Sequence, residues 1–184
     1  MWQIMAGPYL AAAALLVVAG VPKVVDPMPL VRALRSTGLP SGRPLVRALA
    51  SGEVLVGAAA LAVPGRGTAA LVCLAYLAFT GFVGLALARG GVLESCGCFG
   101  KADTPPTRAH LAVTALLALA AGALAVAPPG APVWTADTLT RPATPVLIGF
   151  AALLAVLARA VMALLPLATP AAARSAATTT RRRG

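Results

Sequence analysis

Residues 68–88 read TAALVCLAYLAFTGFVGLALA, without a single charged side chain. The hydrocarbon core of a bilayer is about 30 Å thick, and a helix needs about 20 apolar residues to cross it. Every backbone N–H and C=O group in that core must find a partner within the protein, and a helix provides one for nearly all of them. The stretch therefore predicts a membrane-spanning helix.

Four other apolar stretches approach or reach the same length, with prolines or glycines between them. Of all residues 59% are hydrophobic and 11% are charged, whereas a soluble domain carries about 25% charged residues. The sequence therefore predicts an all-α fold, a polytopic membrane helical bundle of about five transmembrane helices. The four further spans cover residues 3–21, from 45 or 48 to 63, 109–127 and 144–165.

The two ends of the chain need separate interpretation. Residues 1–9 contain no Lys or Arg, which is atypical of a secretory signal peptide, so we interpret the first span as a retained helix that ends at Pro22. Pro166 is predicted to end the last span. Residues 166–184 are rich in Ala, Thr and Arg and have little apolar surface to bury. We expect a membrane domain over residues 1–165, followed by a disordered basic tail.

The connector between the first two spans contains a short amphipathic pattern. From Pro29 onward, helical spacing places Leu30, Val31 and Leu34 on one face and puts Arg32 and Arg35 elsewhere. This pattern predicts a helix lying at the membrane interface. An ordinary polar loop is the alternative.

The basic residues are distributed unevenly between the two sides of a five-span bundle. One side holds only Arg66 and Arg141, and the other holds thirteen basic residues. Because positive residues favour the cytoplasmic side, we expect the N-terminus outside and the C-terminus in the cytoplasm. The basic residues show no interleaved aromatic pattern, so we expect a bilayer and not nucleic acid as their partner. The thirteen are Lys23, Arg32, Arg35, Arg43, Arg47, Arg89, Lys101, Arg108, Arg159, Arg174 and Arg181 to Arg183.

The loop after the third span contains two cysteines, Cys96 and Cys98, on either side of Gly97. One interpretation is a redox dithiol: the disulfide would close a very small ring, depart from relaxed geometry and be easily reduced. A second is a metal site, but thiolate sites usually need four ligands, and the chain has three cysteines and one histidine, so we expect no metal. A third is a glycine-rich turn without chemistry.

Three charged residues lie near the same predicted membrane face as this loop. Lys23 and Asp26 follow the first span, and Glu53 lies within the second. Intramembrane carboxylates are costly and indicate function, so we expect Glu53 to turn inward and lie within about 20 Å of the loop. A carboxylate that snorkels to the interface is the alternative.

The remaining cysteine is not expected to take part in this chemistry. Cys73 lies 23 residues before Cys96, roughly 30 Å away along a helix. It cannot reach the pair within one protomer, and we interpret it as a buried apolar side chain.

Three segments together resemble the MauE family of methylamine utilisation membrane proteins, within the wider DoxX-like group. They are Ala19–Pro27 with its Lys and Asp-Pro, Glu53–Gly57, and Ser95–Gly100, which contains the Cys-Gly-Cys motif. Their order along the chain matches that of the family over about residues 5–127. The resemblance implies a four-helix core, to which this chain adds one C-terminal helix.

The resemblance also implies a function. Members are associated with maturation of methylamine dehydrogenase, are linked with thioredoxin-like partners, and are suspected of passing reducing equivalents across the membrane. For this chain it implies thiol–disulfide chemistry at Cys96 and Cys98, supported by Lys23, Asp26 and Glu53. It also implies partners outside the cytoplasm, whereas the charge distribution places the cysteine loop inside.

These observations leave several functions open. The leading hypothesis is a thiol–disulfide component that exchanges electrons with a thioredoxin-like protein or a lipid-soluble carrier such as a quinone, without a tightly bound cofactor. A non-enzymatic scaffold for assembly of a partner is the alternative. A small-solute transporter is disfavoured, because no inverted repeat is evident.

Overall fold

The predicted all-α membrane bundle is confirmed. The structure is a computed structural model that describes residues 2–89, 107–129, 133–135, 138 and 140–181; within these ranges it contains helices and no strands. Among the described residues, five helices are long and apolar enough to cross a membrane. The helices are α1 (Trp2–Val25), α2 (Met28–Ser36), α3 (Arg43–Ala62), α4 (Arg66–Ala88), α5 (Arg108–Val126) and α6 (Ala143–Arg181).

Helix α1 occupies the centre of the bundle. It packs most extensively against α3 and also contacts α4, α5 and α6, while α4 and α5 form a second close pair. Within the most apolar part of each span, 61% of the α1 residues are buried, compared with 11% for α6. Helix α1 therefore supplies more buried residues to the core than any other described helix, and α6 lies at its edge.

Glycines allow α1 and α3 to approach closely. A Cβ atom built on Gly57 of α3 would lie 2.6 Å from the carbonyl oxygen of Ala13 and 2.8 Å from a methyl group of Val17. A Cβ on Gly20 of α1 would lie 2.7 Å from a methyl group of Val54. Such separations leave no room for a side chain, and helix association in lipid depends on this kind of van der Waals contact.

Polar contacts join the helix ends on the side opposite α2. The indole Nε1 of Trp134 donates a hydrogen bond to the Leu61 carbonyl at 2.6 Å. The Tyr9 hydroxyl of α1 donates to Oγ1 of Thr68, in the first turn of α4, at 3.1 Å. The first bond satisfies a carbonyl in the last turn of α3 that has no partner within the helix.

A helix, α2, forms where the connector predicts an amphipathic one. Of the predicted apolar face, Val31 is buried and Leu30 and Leu34 are half-buried, while Arg32 and Arg35 are exposed. Ala33, which the prediction did not place on that face, is also buried. The helix packs against α1 and α3. It therefore lies across the end of the bundle at which α1 ends and α3 begins.

Two predicted helix ends are wrong. Helix α1 does not stop at Pro22 but continues to Val25. Proline removes one N–H donor and crowds the carbonyl one turn before it. The turn after it is not blocked, because the carbonyl of Pro22 accepts a hydrogen bond from the Asp26 amide at 2.8 Å. Helix α6 does not end at Pro166; its backbone remains helical to Arg181, through the predicted tail.

Alanine explains much of this extension of α6. The segment after Pro170 is rich in alanine, the residue with the highest helix propensity, which favours helix over the predicted irregular tail. The apolar window ends at Met162. The division at residue 165 into a membrane domain and a tail stays a prediction.

Gly57→Ala is expected to lower the stability of the protein in detergent by about 1–3 kcal/mol, because α1 must move away from the new methyl group. Thermal unfolding of the purified protein measures this. Gly52→Ala is the control on the same helix: a Cβ there meets nothing within 4 Å, and alanine favours the helix over glycine by about 1 kcal/mol. Equal losses in both variants would contradict close packing of α1 on α3 as the cause.

Candidate functional site

A buried ion pair joins α1 to α3. Lys23 lies in the last turn of α1, and its Nζ is 2.6 Å from Oε2 of Glu53. The side chain of Lys23 is 3% exposed and that of Glu53 is 10% exposed. The predicted inward orientation of Glu53 is thus present in the structure, with Lys23 as its partner.

Local helix geometry brings the two side chains together. Lys23 lies one turn beyond Gly20, the residue at which α1 contacts Ala50 and Val54 of α3. Residues three apart on a helix lie on one face, so Lys23 faces α3 at the level of Glu53. The extra turn after Pro22 is essential, since a helix that ended at Pro22 would leave Lys23 in the connector.

Helix α4 completes the surroundings of the lysine. Nζ of Lys23 lies 4.9 Å from the ring centroid of Phe79, within the range of a cation–π interaction. Tyr76 packs edge-on against Phe79, with ring centroids 5.6 Å apart. The Tyr76 hydroxyl donates a hydrogen bond to the carbonyl of Ala12 at 2.9 Å. The ammonium group therefore contacts a carboxylate and an aromatic face on two different helices.

This arrangement has clear electrostatic consequences. Burying an isolated charge is very costly, and pairing with an opposite charge reduces the cost. A lysine and a glutamate in direct hydrogen-bond contact form a pair that is neutral overall. The site can thus hold α1, α3 and α4 together, and it places two ionisable groups inside the bundle.

Asp26, the third charged residue that the sequence assigns to this region, has a different environment. It is exposed, and its Oδ1 accepts a hydrogen bond from the Met28 amide at 3.0 Å. It therefore satisfies an amide at the start of α2 and has no described contact with Glu53. Glu53 lies ten residues after Arg43, about 15 Å along α3.

Cys96 and Cys98 lie outside the described residues. Their expected distance from Glu53 therefore stays a prediction. The described chain ends on one side of the loop at Arg89, after α4, and resumes at Thr107, before α5. The guanidinium of Arg89 donates a hydrogen bond to the carbonyl of Thr37, directly after α2. Arg89 is thereby attached to the connector between α1 and α3.

Cys73 and His110 are also part of the core. Cys73 is half-buried, and a Cβ built on Gly122 of α5 would lie 3.3 Å from its sulfur, which agrees with the expected apolar environment. His110 is buried near the start of α5, with Nδ1 2.8 Å from Oγ1 of Thr107. Among the described residues, no group of three His, Cys, Asp or Glu side chains is arranged to hold a metal ion.

An apolar cavity among the described residues lies away from the ion pair. It has a volume of about 640 Å³ and lies between α1, α5 and α6, where Met5, Leu116, Leu117 and Leu157 are among its lining residues. No charged residue lines it. A quinone headgroup would find no charged partner there, so a lipid-soluble carrier stays a prediction that this cavity does not support.

Phe79 and Tyr76 surround the ion pair but were not predicted from the sequence to belong to this site. Phe79 and Tyr76 are spaced i and i+3 in a span without charge, which was a visible signal of one aromatic face. Their relation to Lys23 was not visible, because it depends on how α1 and α4 pack. Arg89 was counted only for its charge, although it binds the connector.

Glu53→Gln and Lys23→Met are each expected to destabilise the protein by about 3–5 kcal/mol, because each leaves a buried charge without its partner. The double variant removes both charges and should recover much of that loss. Thermal unfolding of the four proteins gives the coupling energy. Arg47→Gln, at an exposed position of the same helix, is the control, with an expected change within about 0.5 kcal/mol. Additive losses in the double variant would show that the two side chains do not interact.

Comparison with known proteins agrees with this architecture. The family model described as methylamine utilisation protein MauE matches residues 1–127, the part of the chain that contains α1 to α5 and the cysteine loop. No curated protein and no solved structure matches the chain. The match covers more than half of the 184 residues, and the chain therefore belongs to the MauE family of methylamine utilisation proteins.

Proposed function

We propose that this multi-pass membrane protein is a thiol–disulfide component that supports maturation of a partner protein. In the proposed reaction, the thiols of Cys96 and Cys98 become a disulfide while a disulfide of a thioredoxin-like partner is reduced to two thiols. The two electrons and two protons pass to the partner, and the reverse reaction restores the dithiol. A quinone in the bilayer is an alternative oxidant. Membership of the MauE family supports methylamine utilisation as the setting.

The buried Lys23–Glu53 pair is the observation that supports this proposal. Thiol–disulfide exchange needs a thiolate, and a neighbouring base promotes its formation. The pair places two ionisable groups inside the bundle, and the connector that follows α1 binds Arg89, the last described residue before the cysteine loop. We assign Lys23 and Glu53 a supporting role and Cys96 and Cys98 the redox role, whereas Asp26 supports the region by starting α2.

The main alternative is a scaffold that holds a partner during its assembly. One observation favours it: Glu53 is already neutralised by Lys23, and the pair connects α1 with α3, which is sufficient for a purely structural role. A small-solute transporter is the weakest candidate. Kinship with the wider DoxX-like group also remains a proposal.

Alkylation trapping separates these functions. Cells are quenched with acid, free thiols are labelled with a maleimide of high mass, and the redox state of the protein is resolved by gel. We expect a fraction of wild type with Cys96 and Cys98 oxidised, and none in Cys96→Ser/Cys98→Ser. The double variant should also lose biological activity, whereas Cys73→Ser should retain both signals. A pair that never oxidises, together with a fully active double variant, would favour the scaffold.

We also propose that the N-terminus lies outside the cell and the C-terminus in the cytoplasm, on the basis of the uneven basic residues. In a Cys73→Ser background, a membrane-impermeant maleimide should label Cys96 and Cys98 in inverted vesicles and not in intact cells. Labelling in intact cells would instead show that the cysteine loop lies outside the cell and the proposed orientation is wrong. It would also bring the cysteine loop to the side on which the family resemblance places its partners.

A further inference from the structure

Exposed arginines surround the end of the bundle at which α2 lies. Arg32 and Arg35 are exposed on α2, and Arg43 and Arg47 are exposed in the first turns of α3. They belong to an amphipathic helix and to the start of a membrane span. This surface has no role in the proposed redox chemistry.

Two of these side chains converge on one residue. Nε of Arg32 donates to the carbonyl of Met28 at 3.4 Å, and Nε of Arg43 donates to the sulfur of the same methionine at 3.1 Å. Both acceptors are neutral. The contacts use one nitrogen of each guanidinium and leave the terminal nitrogens available for an external acceptor.

Within the described ranges, these guanidinium groups have no negative partner. The ion pair described there is the one between Lys23 and Glu53, so that glutamate is already occupied. Asp26 is close in the chain, but its carboxylate binds the Met28 amide and does not come within 4 Å of either arginine. The patch formed by Arg32, Arg35, Arg43 and Arg47, which we call the α2–α3 arginine patch, is therefore strongly positive.

The position of the patch indicates what balances its charge. Helix α3 begins at Arg43 and is apolar enough to cross the bilayer, so its first turns lie near the level of the lipid headgroups. Helix α2 buries Val31 and Ala33 against the bundle and leaves its arginines exposed at the same end. Phospholipid phosphates lie at this level, and the planar guanidinium group binds phosphate oxygens in pairs.

We propose that Arg32 and Arg43 bind the phosphate of an anionic phospholipid and that Arg35 and Arg47 add to the attraction. The site holds α2 against the headgroups of the leaflet at this end of the bundle. It is independent of the thiol–disulfide reaction, since no cysteine and no part of the Lys23–Glu53 pair takes part in it.

Lipid retention by the full-length protein tests this site. The protein is placed in nanodiscs with equal amounts of phosphatidylcholine and phosphatidylglycerol, and the retained lipids are counted by native mass spectrometry. Wild type is expected to prefer phosphatidylglycerol. Arg32→Gln/Arg43→Gln should reduce that preference roughly tenfold or more, since each basic residue near an anionic surface contributes appreciably to binding.

A charge-matched control separates the patch from net charge. Arg108→Gln/Arg159→Gln removes the same charge from exposed arginines outside the patch and should keep the preference. Thermal unfolding of both double variants checks that they fold. Equal loss of preference in the two variants, or no preference in wild type, overturns the proposal.

Added inorganic phosphate distinguishes a lipid site from a site for free anions. The preference for phosphatidylglycerol should persist at millimolar phosphate, because the lipid is held at high local concentration in the bilayer. Complete displacement by phosphate would show binding of an adventitious ion only and would overturn the assignment to a lipid.

Discussion

The contact between Lys23 and Glu53 is the constraint on which the rest of this bundle depends. Neither charge is tolerable alone inside a membrane-spanning bundle, and at 2.6 Å each compensates the other. This requirement fixes the rotation of α1 relative to α3, because both side chains must point at the seam. The glycine contacts between these helices then fix their separation. Charge determines which faces meet, and small residues determine how closely.

The other helices adapt to this central pair. Phe79 presents a ring to the lysine, and Tyr76 anchors α4 to α1 through the Ala12 carbonyl. In lipid, apolar surface alone drives little association between helices, so association depends on specific contacts of this kind. The cysteine loop follows α4, the helix whose Phe79 contacts Lys23. A redox function would then use a bundle that is held together by a buried ion pair.

Much of the fold could be predicted from the sequence, because span length follows from bilayer thickness alone. The five spans, the amphipathic helix and the inward Glu53 follow from periodicity and from the cost of an intramembrane acid. Helix ends were less predictable: Pro22 permits another turn, and Ala-rich sequence continues α6 beyond Pro166. Span parity placed Lys23 and Glu53 on one side, but parity cannot give pairwise distances. The aromatic partners of Lys23 depended on packing between α1 and α4, which apolar sequence barely encodes.

Helix α6 has a consequence for the order of assembly. It is synthesised after α1 to α5, yet Phe150 lies against Gly7 of α1 so closely that a Cβ on that glycine would be 2.5 Å from the ring. During membrane insertion, the Gly7 face of α1 must therefore remain in contact with lipid or an insertion factor until translation has passed residue 150. The α1–α3 pair can form well before that point. Biogenesis would then proceed by early pairing around the charged seam, followed by late closure of a peripheral helix over an otherwise complete core.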